Sequence, residues 1–435
     1  MHAQESGATA VMIANQHDTD LFFMRGIDEA TIPSTFVSRE SGIEIRSRMA
    51  EHGATSVTIH PGIEVSFDDE RADVVVPDSS RGPSSRYDTF GPQLAAPGTN
   101  VLAAVSSTGN DNWDFLSGTS MASPHVAGSA ALLKALHPDW SPSEIQSALM
   151  LTSKSWTELT VDSGESADPL DVGAGRVDAA RATQAGFVLH ETIESFETSR
   201  SRTSTRELNV AGLMNRSIRG SYTWTRSLRS TQDVTVDWSP SFDGDGFDVL
   251  VSPSVVTLEP GAVREVTFEF LVTESPADVD EWMFGDLTMT PNVDLPALHF
   301  PVATKLVANS IGLIISNSSL VEGDTATNVQ VYRTSQTDQD LTVNVTLSSG
   351  NQIEMPSTIE IPAGEIASLP FPITAIQDGL DEGEQEIVIT LNASGIGTTR
   401  HTLGIRDVVT TRAGDLNSDG VVDSKDIDAL CIGIK

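Results

Sequence analysis

Leu116-Ser117-Gly118-Thr119-Ser120-Met121-Ala122-Ser123-Pro124-His125-Val126-Ala127-Gly128 is the stretch of this 435-residue sequence on which the fold turns. From 120 to about 136 the spacing predicts a helix whose interior is rich in small residues, Ala122, Ala127, Gly128, Ser129, Ala130 and Ala131 among them. Small side chains let a helix lie close against a sheet. Pro124 is compatible with that helix, because the first four backbone N–H groups lack intrahelical acceptors and a proline there forfeits little. Ser120 therefore sits at or near a helix N-terminus, with its Oγ aimed outward and its own N–H free to donate to a developing oxyanion, as nucleophilic acyl transfer requires. Gly118, two residues earlier, allows the tight approach. On pattern alone, a Ser-rich turn capping a buried helix is the commoner explanation.

Immediately downstream, Ser141-Pro142-Ser143-Glu144 offers an N-cap serine, a proline at N1 and a capping-box glutamate, predicting a second helix that runs to about Thr152. Upstream, residues 56–105 alternate short β-branched runs (Val57-Thr58-Ile59, Val74-Val75-Val76) with turns at Arg81-Gly82-Pro83 and Ala96-Pro97-Gly98, which reads as strands of a larger sheet. Further back, strand-like 8–13, the segment 32–37 and helix-like 41–49 suggest a small α/β module. From about 191 onward, strands at 234–238, 263–270, 341–347 and 386–391 alternate with turns and almost no helical periodicity. Two sandwich-like modules meeting near 305–310 fit that stretch. The acidic Asp243-Gly244-Asp245-Gly246 reads as a hairpin turn, and 411–435 is too short for a core without a metal or a continuation.

Length predicts about three domains. The 26 Lys and Arg against 61 Asp and Glu leave a net charge of −35, which nucleic acid phosphate and anionic lipid would repel. With 39% hydrophobic residues, 33 Gly and 21 Pro, the chain reads as globular and turn-rich. A single cysteine, Cys431, forbids an intrachain disulfide and a CxxC-type zinc site, so stability must come from packing or oxygen-ligated metals. Its place after the acidic loop at 415–426 suggests a small apolar contact on a helix. No apolar run approaches the ~18–20 residues of a membrane span, so an integral membrane protein is not expected. Met1-His2-Ala3-Gln4-Glu5 lacks the basic n-region and apolar core of a signal peptide.

The run from Gly118 to Gly128 matches, position for position, the nucleophile motif of the subtilisin-like serine proteases. The resemblance continues through Ser79-Ser80-Arg81-Gly82-Pro83-Ser84, Leu94-Ala95-Ala96-Pro97-Gly98, His137-Pro138 and Gly173-Ala174-Gly175-Arg176-Val177-Asp178, in the order that family carries them. It implies that Ser120 is the nucleophile, that 56–190 is the C-terminal half of a subtilisin-like catalytic domain, and that 1–55 is the back part of a protease-associated domain. In that family the catalytic Asp, the catalytic His and the oxyanion Asn all precede the inserted domain, so the resemblance implies that none of them lies in these 435 residues. The nine histidines agree, since none stands in a segment like the family's His-Gly-Thr-His. His125, five residues after Ser120 on the same helix, reads as a packed helix residue rather than a general base. A serine hydroxyl without an adjacent base stays protonated and weakly nucleophilic near neutral pH.

Residues 191–308 resemble the fibronectin III-like domain that follows many subtilase catalytic domains, through Val251-Ser252-Pro253, Leu258-Glu259-Pro260-Gly261 and Phe284-Gly285-Asp286-Leu287. Residues 309–410 resemble a Calx-beta domain, which implies candidate calcium carboxylates at Glu322, Asp378, Asp381, Glu382 and Asp407; solvated turns are the better explanation of these acids. The C-terminal loop is sharper. Asp415, Asn417, Asp419, Asp423 and Asp426 place oxygens at loop positions 1, 3, 5, 9 and 12, with Gly420 at the sharp turn and the Val421 carbonyl at position 7, a calcium-binding pattern. Asp426 in place of the usual glutamate resembles the first half of a type I dockerin, which implies a cohesin-like partner, with a merely calcium-stabilised tail as the alternative. The four Asn-x-Ser/Thr sequons carry no assignment.

The fold expected is therefore multidomain: an α/β subtilisin-like part, two all-β sandwich domains, and a truncated dockerin-like calcium repeat at 411–435. The function the resemblance implies is a serine endopeptidase, extracellular or at the cell surface, that attacks a peptide carbonyl with Ser120, on protein or peptide substrates, with calcium as cofactor. The competing expectation is an inactive chain acting as a calcium-binding cell-surface adhesion or binding protein.

Overall fold

A computed structural model describes residues 2–16, 31–53, 56–58, 72–106, 113–274, 279–317, 319–334, 338–350, 352–380 and 383–408. The chain opens with a one-turn helix α1 (His2–Glu5), then β1 (Val11–Ala14) and β2 (Ser34–Val37), which pair in parallel, and α2 (Arg39–His52). The Ser38 hydroxyl caps α2 by accepting the Ser41 N–H. Gly42 lets α2 press on the first strand, since a Cβ there would fall 2.2 Å from the Ala14 methyl carbon.

Next come β3 (Val74–Val75), β4 (Val101–Ala104), β5 (Trp113–Leu116), α3 (Thr119–Leu136), α4 (Pro142–Leu151), β6 (Lys154–Ser155), β7 (Thr160–Val161), α5 (Pro169–Val172), β8 (Gly175–Arg176) and α6 (Ala179–Ala182). The larger sheet expected over 56–105 is not formed among the described residues. Three two-stranded ladders stand in its place: β3 with β7 in parallel, β4 with β5 antiparallel, and β6 with β8 antiparallel. Alternating β-branched residues specify an extended backbone but not how many neighbours a strand finds.

Helix α4 follows its sequence signals closely. Ser141 accepts the Glu144 N–H while the Glu144 carboxylate accepts the Ser141 N–H at 2.7 Å, and Pro142 stands at N1. One stripe of α3, Val126, Ala130 and Leu133, packs on Trp140, Ile145, Ala148 and Leu149 from α4 and its approach, and on Ala182, Ala185 and Val188. The rest of α3 is turned outward. Leu132 is 67% and Leu136 57% exposed, and Ala127, Gly128 and Ala131 are exposed beside them.

The next stretch contains β9 (Phe187–Leu189), α7 (Ile193–Thr198), α8 (Arg202–Arg206), β10 (Leu213–Ile218), β11 (Tyr222–Ser230), β12 (Val236–Gly244), β13 (Phe247–Ser252), β14 (Val256–Leu258), β15 (Val263–Val272), β16 (Trp282–Pro291) and β17 (Leu298–Leu306). The two short helices depart from the expectation of almost no helix beyond 191. Local capping accounts for them, with Thr192 and Ser201 each accepting the backbone N–H three residues on. A five-stranded sheet β10-β17-β16-β12-β14 faces β9, β11, β15 and β13. Trp224, Trp238, Phe187, Phe268, Phe270 and Phe300 fill the core between them. The Asp243-Gly244-Asp245-Gly246 turn is not a hairpin: β12 pairs with β16, whereas β13 pairs with β15, so this turn carries the chain from one sheet to the other.

The last described stretch is all strand: β18 (Ile311–Ile314), β19 (Ser319–Val321), β20 (Thr325–Arg333), β21 (Leu341–Leu347), β22 (Ile353–Glu354), β23 (Thr358–Ile361), β24 (Phe371–Ala375), β25 (Gln385–Ala393) and β26 (Gly397–Arg406). A five-stranded sheet β19-β26-β25-β21-β23 closes a second aliphatic core against β22-β24-β20-β18. The two sandwiches are stitched into one sheet, because β15 pairs with β18 in parallel at Val272 and Ile314. In that sheet β9, from the stretch before 191, pairs with β11.

Candidate active site

Ser120 stands in the first turn of α3, where the sequence places it. The turn depends on Gly118, the N-cap, at φ 145° and ψ 166°, a region essentially closed to residues with a Cβ. The Gly118 carbonyl accepts the Met121 N–H at 2.9 Å, whereas the Ser120 N–H belongs to the leading donors of the helix that have no intrahelical acceptor. Ser120 itself is exposed, and its hydroxyl makes no hydrogen bond among the described residues.

The other motif segments converge on this turn. The Gly98 carbonyl accepts the Gly118 N–H at 2.7 Å, and a Cβ on Gly98 would lie 2.9 Å from the Gly118 oxygen. Ser117 Oγ accepts the Asn100 N–H at 2.8 Å, and the ladder from Val101 opposite Leu116 extends the contact. Ala95 in turn donates to Gly175 at 2.8 Å and accepts from Val177 at 2.9 Å. Arg81 pairs with Asp171 at 3.1 Å while the Gly82 N–H donates to the Leu170 carbonyl at 2.7 Å. Segments near 80, 95, 118 and 175 thus form one continuous support beneath Ser120.

Among the described residues no histidine bonds to Ser120. His125 donates from Nδ1 to the Met121 carbonyl at 2.8 Å, one turn back on its own helix. His137 stacks on Trp140 with ring centroids 3.9 Å apart, and His190 Nδ1 meets Ser141 Oγ at 3.0 Å. His52 lies beside Glu51 on the exposed end of α2. His17 and His60 fall outside the described residues, and His2 lies in α1.

One arrangement escaped sequence reasoning. Ser153 Oγ lies 3.0 Å from His299 Nε2, and His299 Nδ1 lies 2.8 Å from Asp286 Oδ1, whose second oxygen accepts from Ser155 Oγ at 2.6 Å. The order serine, imidazole, carboxylate is that of a serine-protease catalytic triad. Ser153 is only 2%, His299 6% and Asp286 7% exposed, so a substrate carbonyl has no route to the hydroxyl. The cluster instead ties the chain leaving α4 to β16 and β17. Residues 146 apart in sequence carry no shared local signal, so only the fold brings them together.

The candidate metal residues are placed in part. Asp378 accepts the Leu380 N–H at 2.9 Å, Asp407 accepts the Gly383 N–H at 2.7 Å, and Glu322 is buried, its backbone N–H on the Arg406 carbonyl. Asp381 and Glu382 lie outside the described residues, as do the whole loop Asp415, Asn417, Asp419, Val421, Asp423 and Asp426, and Cys431. Among the described residues no group of three or more His, Cys, Asp or Glu side chains is arranged to hold a metal. No helix among them is long and apolar enough to cross a membrane.

Residues 2–175 match the Subtilase family profile. The chain is 31% identical over 266 residues to the subtilisin-like protease SBT3.9 of Arabidopsis thaliana, covering 53% of this chain and 34% of that protein. To the subtilisin-like protease SBT1.5 of Arabidopsis thaliana it is 36% identical over 213 residues, or 42% of this chain and 26% of the relative. To the subtilisin-like protease SBT3 of Solanum lycopersicum it is 37% identical over 181 residues, or 38% of this chain and 24% of the relative. The chain therefore spans about a quarter to a third of the length of these curated relatives. The likeness supports a subtilisin-like serine protease, carried by the part of the chain that contains Ser120.

Proposed function

We propose that this chain carries the nucleophile of a subtilisin-like serine endopeptidase whose base, orienting carboxylate and oxyanion asparagine come from a segment outside these 435 residues. The observation that carries the reading is the exposed Ser120 at a glycine-only helix entry, its hydroxyl without a hydrogen bond among the described residues and its N–H without an intrahelical acceptor. In the assembled site an imidazole takes the Ser120 proton as Oγ attacks the peptide carbonyl carbon. The Ser120 N–H then donates to the developing oxyanion, and as the tetrahedral adduct collapses and the C–N bond breaks, the imidazolium returns the proton to the leaving nitrogen, releasing the amine and leaving an acyl-serine for water to hydrolyse. The outward face of α3, with its exposed Ala127, Gly128, Ala131 and Leu132, is the surface on which the complementing segment would seat.

The substrates in this reading are proteins or peptides, and the setting is extracellular. Residues 1–55 serve as the remainder of a protease-associated domain, 191–308 and 309–410 as fibronectin III-like and Calx-beta-like spacers, and 415–426 as a calcium loop of dockerin type with a cohesin-like partner. Because no described histidine bonds to Ser120, a second reading stands beside it: a calcium-binding cell-surface adhesion protein in which Ser120 is chemically idle. The two separate on co-expression of the chain with a polypeptide bearing the family's Asp, His and Asn segments. The protease reading predicts cleavage of an unfolded protein substrate that Ser120→Ala abolishes. Folded, associated chains without cleavage would favour the adhesion reading.

A further inference from the structure

Where the two sandwiches meet, a buried carboxylate and a buried imidazole face each other. On β15, Phe268 and Phe270 enter the first core, so Glu269 and Leu271 point the other way, and Leu271 belongs to the second core. Glu269 is 7% and His401, on β26, 2% exposed. Both Glu269 oxygens accept the Thr402 N–H, at 3.0 and 3.3 Å. His401 Nε2 accepts the Leu313 N–H at 3.1 Å, so that nitrogen carries no proton. Nδ1 then holds the single ring proton, buried with no hydrogen-bond partner among the described residues and 3.9 Å from Glu269 Oε1. An imidazolium would set Nε2–H against the Leu313 N–H, donor against donor, so protonation and docking exclude each other.

We propose that the Glu269–His401 contact is a proton-exchange junction that holds the two sandwiches together over a mildly acidic interval and loosens as pH falls below it, with a smaller loss on the alkaline side. Apart, the two groups are imidazolium and carboxylate; docked, they are imidazole and carboxylic acid. One proton leaves His401 Nε2, one joins a Glu269 oxygen, and the summed charge stays zero.

The surroundings support this assignment. Burial pushes the Glu269 carboxyl from 4.5 up to about 7, with the Thr402 contacts opposing and Glu386 on β25 adding to it. Glu386 itself accepts the Ser252 hydroxyl at 2.8 Å. Burial alone drives His401 from 6.5 down to about 3. The residues opposite Glu269 in its own sheet, Thr223 on β11 and Leu250 on β13, and Ile389 opposite His401 on β25, are not ionisable.

The depressed His401 value gives a contribution that is full above 6.5 and is lost as pH falls toward 3, and the raised Glu269 value gives one that is full below 4.5 and is lost as pH rises through 7. Between 4.5 and 6.5 the two cancel, because docking changes the number of bound protons by zero. Below that plateau the ratio of closed to open falls about fifteenfold by pH 3, and above it about threefold.

Hydrogen exchange of the Leu313 and Thr402 amides in the full chain, corrected for intrinsic rates, reads the junction directly. We expect protection that is flat from pH 4.5 to 6.5 in the native protein, rises about tenfold per pH unit in Glu269→Gln, and falls about tenfold per unit in His401→Gln. Flat profiles in all three proteins would overturn the proposal. Should either variant fail to fold, nitrogen NMR of His401 in the native protein at about pH 5.5 decides it: a neutral Nδ1–H ring supports the junction, and an imidazolium overturns it.

Discussion

Asp88 sits at a joint that no local pattern announces. Its carboxylate, with a fully buried side chain, accepts Arg206 Nε at 2.7 Å and Arg216 Nε at 2.6 Å, and Arg216 also donates to the Ser84 and Tyr87 carbonyls. The segment just beyond Ser79-Ser80-Arg81-Gly82-Pro83-Ser84 is thereby bolted to α8 and β10 of the first sandwich. Removing one member of such a group strands buried charge, so Asp88→Ala is expected to lower stability by about 3–5 kcal/mol, read as a shift in the denaturant midpoint of the full chain. A shift below about 1 kcal/mol would place the arginines in water rather than in the joint. At this scale legibility was uneven. Ser120, Gly118 and Gly98 could be read because helix entries and tight turns leave local marks, whereas Asp88, Ser153 and His299 depend on partners more than a hundred positions away.

The elements themselves show which physical signals carry through a sequence. Helix α4 was legible to within a residue because its capping box is local chemistry, and Thr119–Leu136 because its apolar spacing is regular. The ladders were not, since pairing is decided by distant chain. In α4 the Glu144 carboxylate works twice, capping Ser141 and accepting Arg229 Nε at 2.6 Å. Burial raises its pKa, but the Ser141 and Arg229 contacts outweigh that and hold it below the usual 4.5. A depressed carboxylate contributes stability that is present above the unfolded value and is lost as pH falls through the folded one. Glu144→Gln should therefore flatten the acid limb of the stability profile, while Ser141→Ala should cost about 0.5–2 kcal/mol at neutral pH. An unchanged acid limb in Glu144→Gln would show that Arg229 contributes nothing to the folded state.

At the scale of the whole molecule, the glycine-framed turn that holds Ser120 is anchored on a sandwich, while a broad face of its helix is exposed among the described residues. Composition and turn density made a β-rich, several-sheet chain legible, and the structure has several such sheets. The stitching of two sandwiches through Val272 and Ile314 was not legible, because one parallel contact leaves no pattern in either strand. The account turns on Ser120 being a nucleophile that waits for its base. The most direct measurement is mass-detected labelling of Ser120 by a fluorophosphonate probe, in the chain alone and with a polypeptide carrying the Asp, His and Asn segments, beside Ser120→Ala. The account predicts a single adduct on Ser120 that forms only in the combined sample and disappears in the variant. A combined, folded sample that leaves Ser120 unlabelled, or labelling that survives Ser120→Ala, would contradict it.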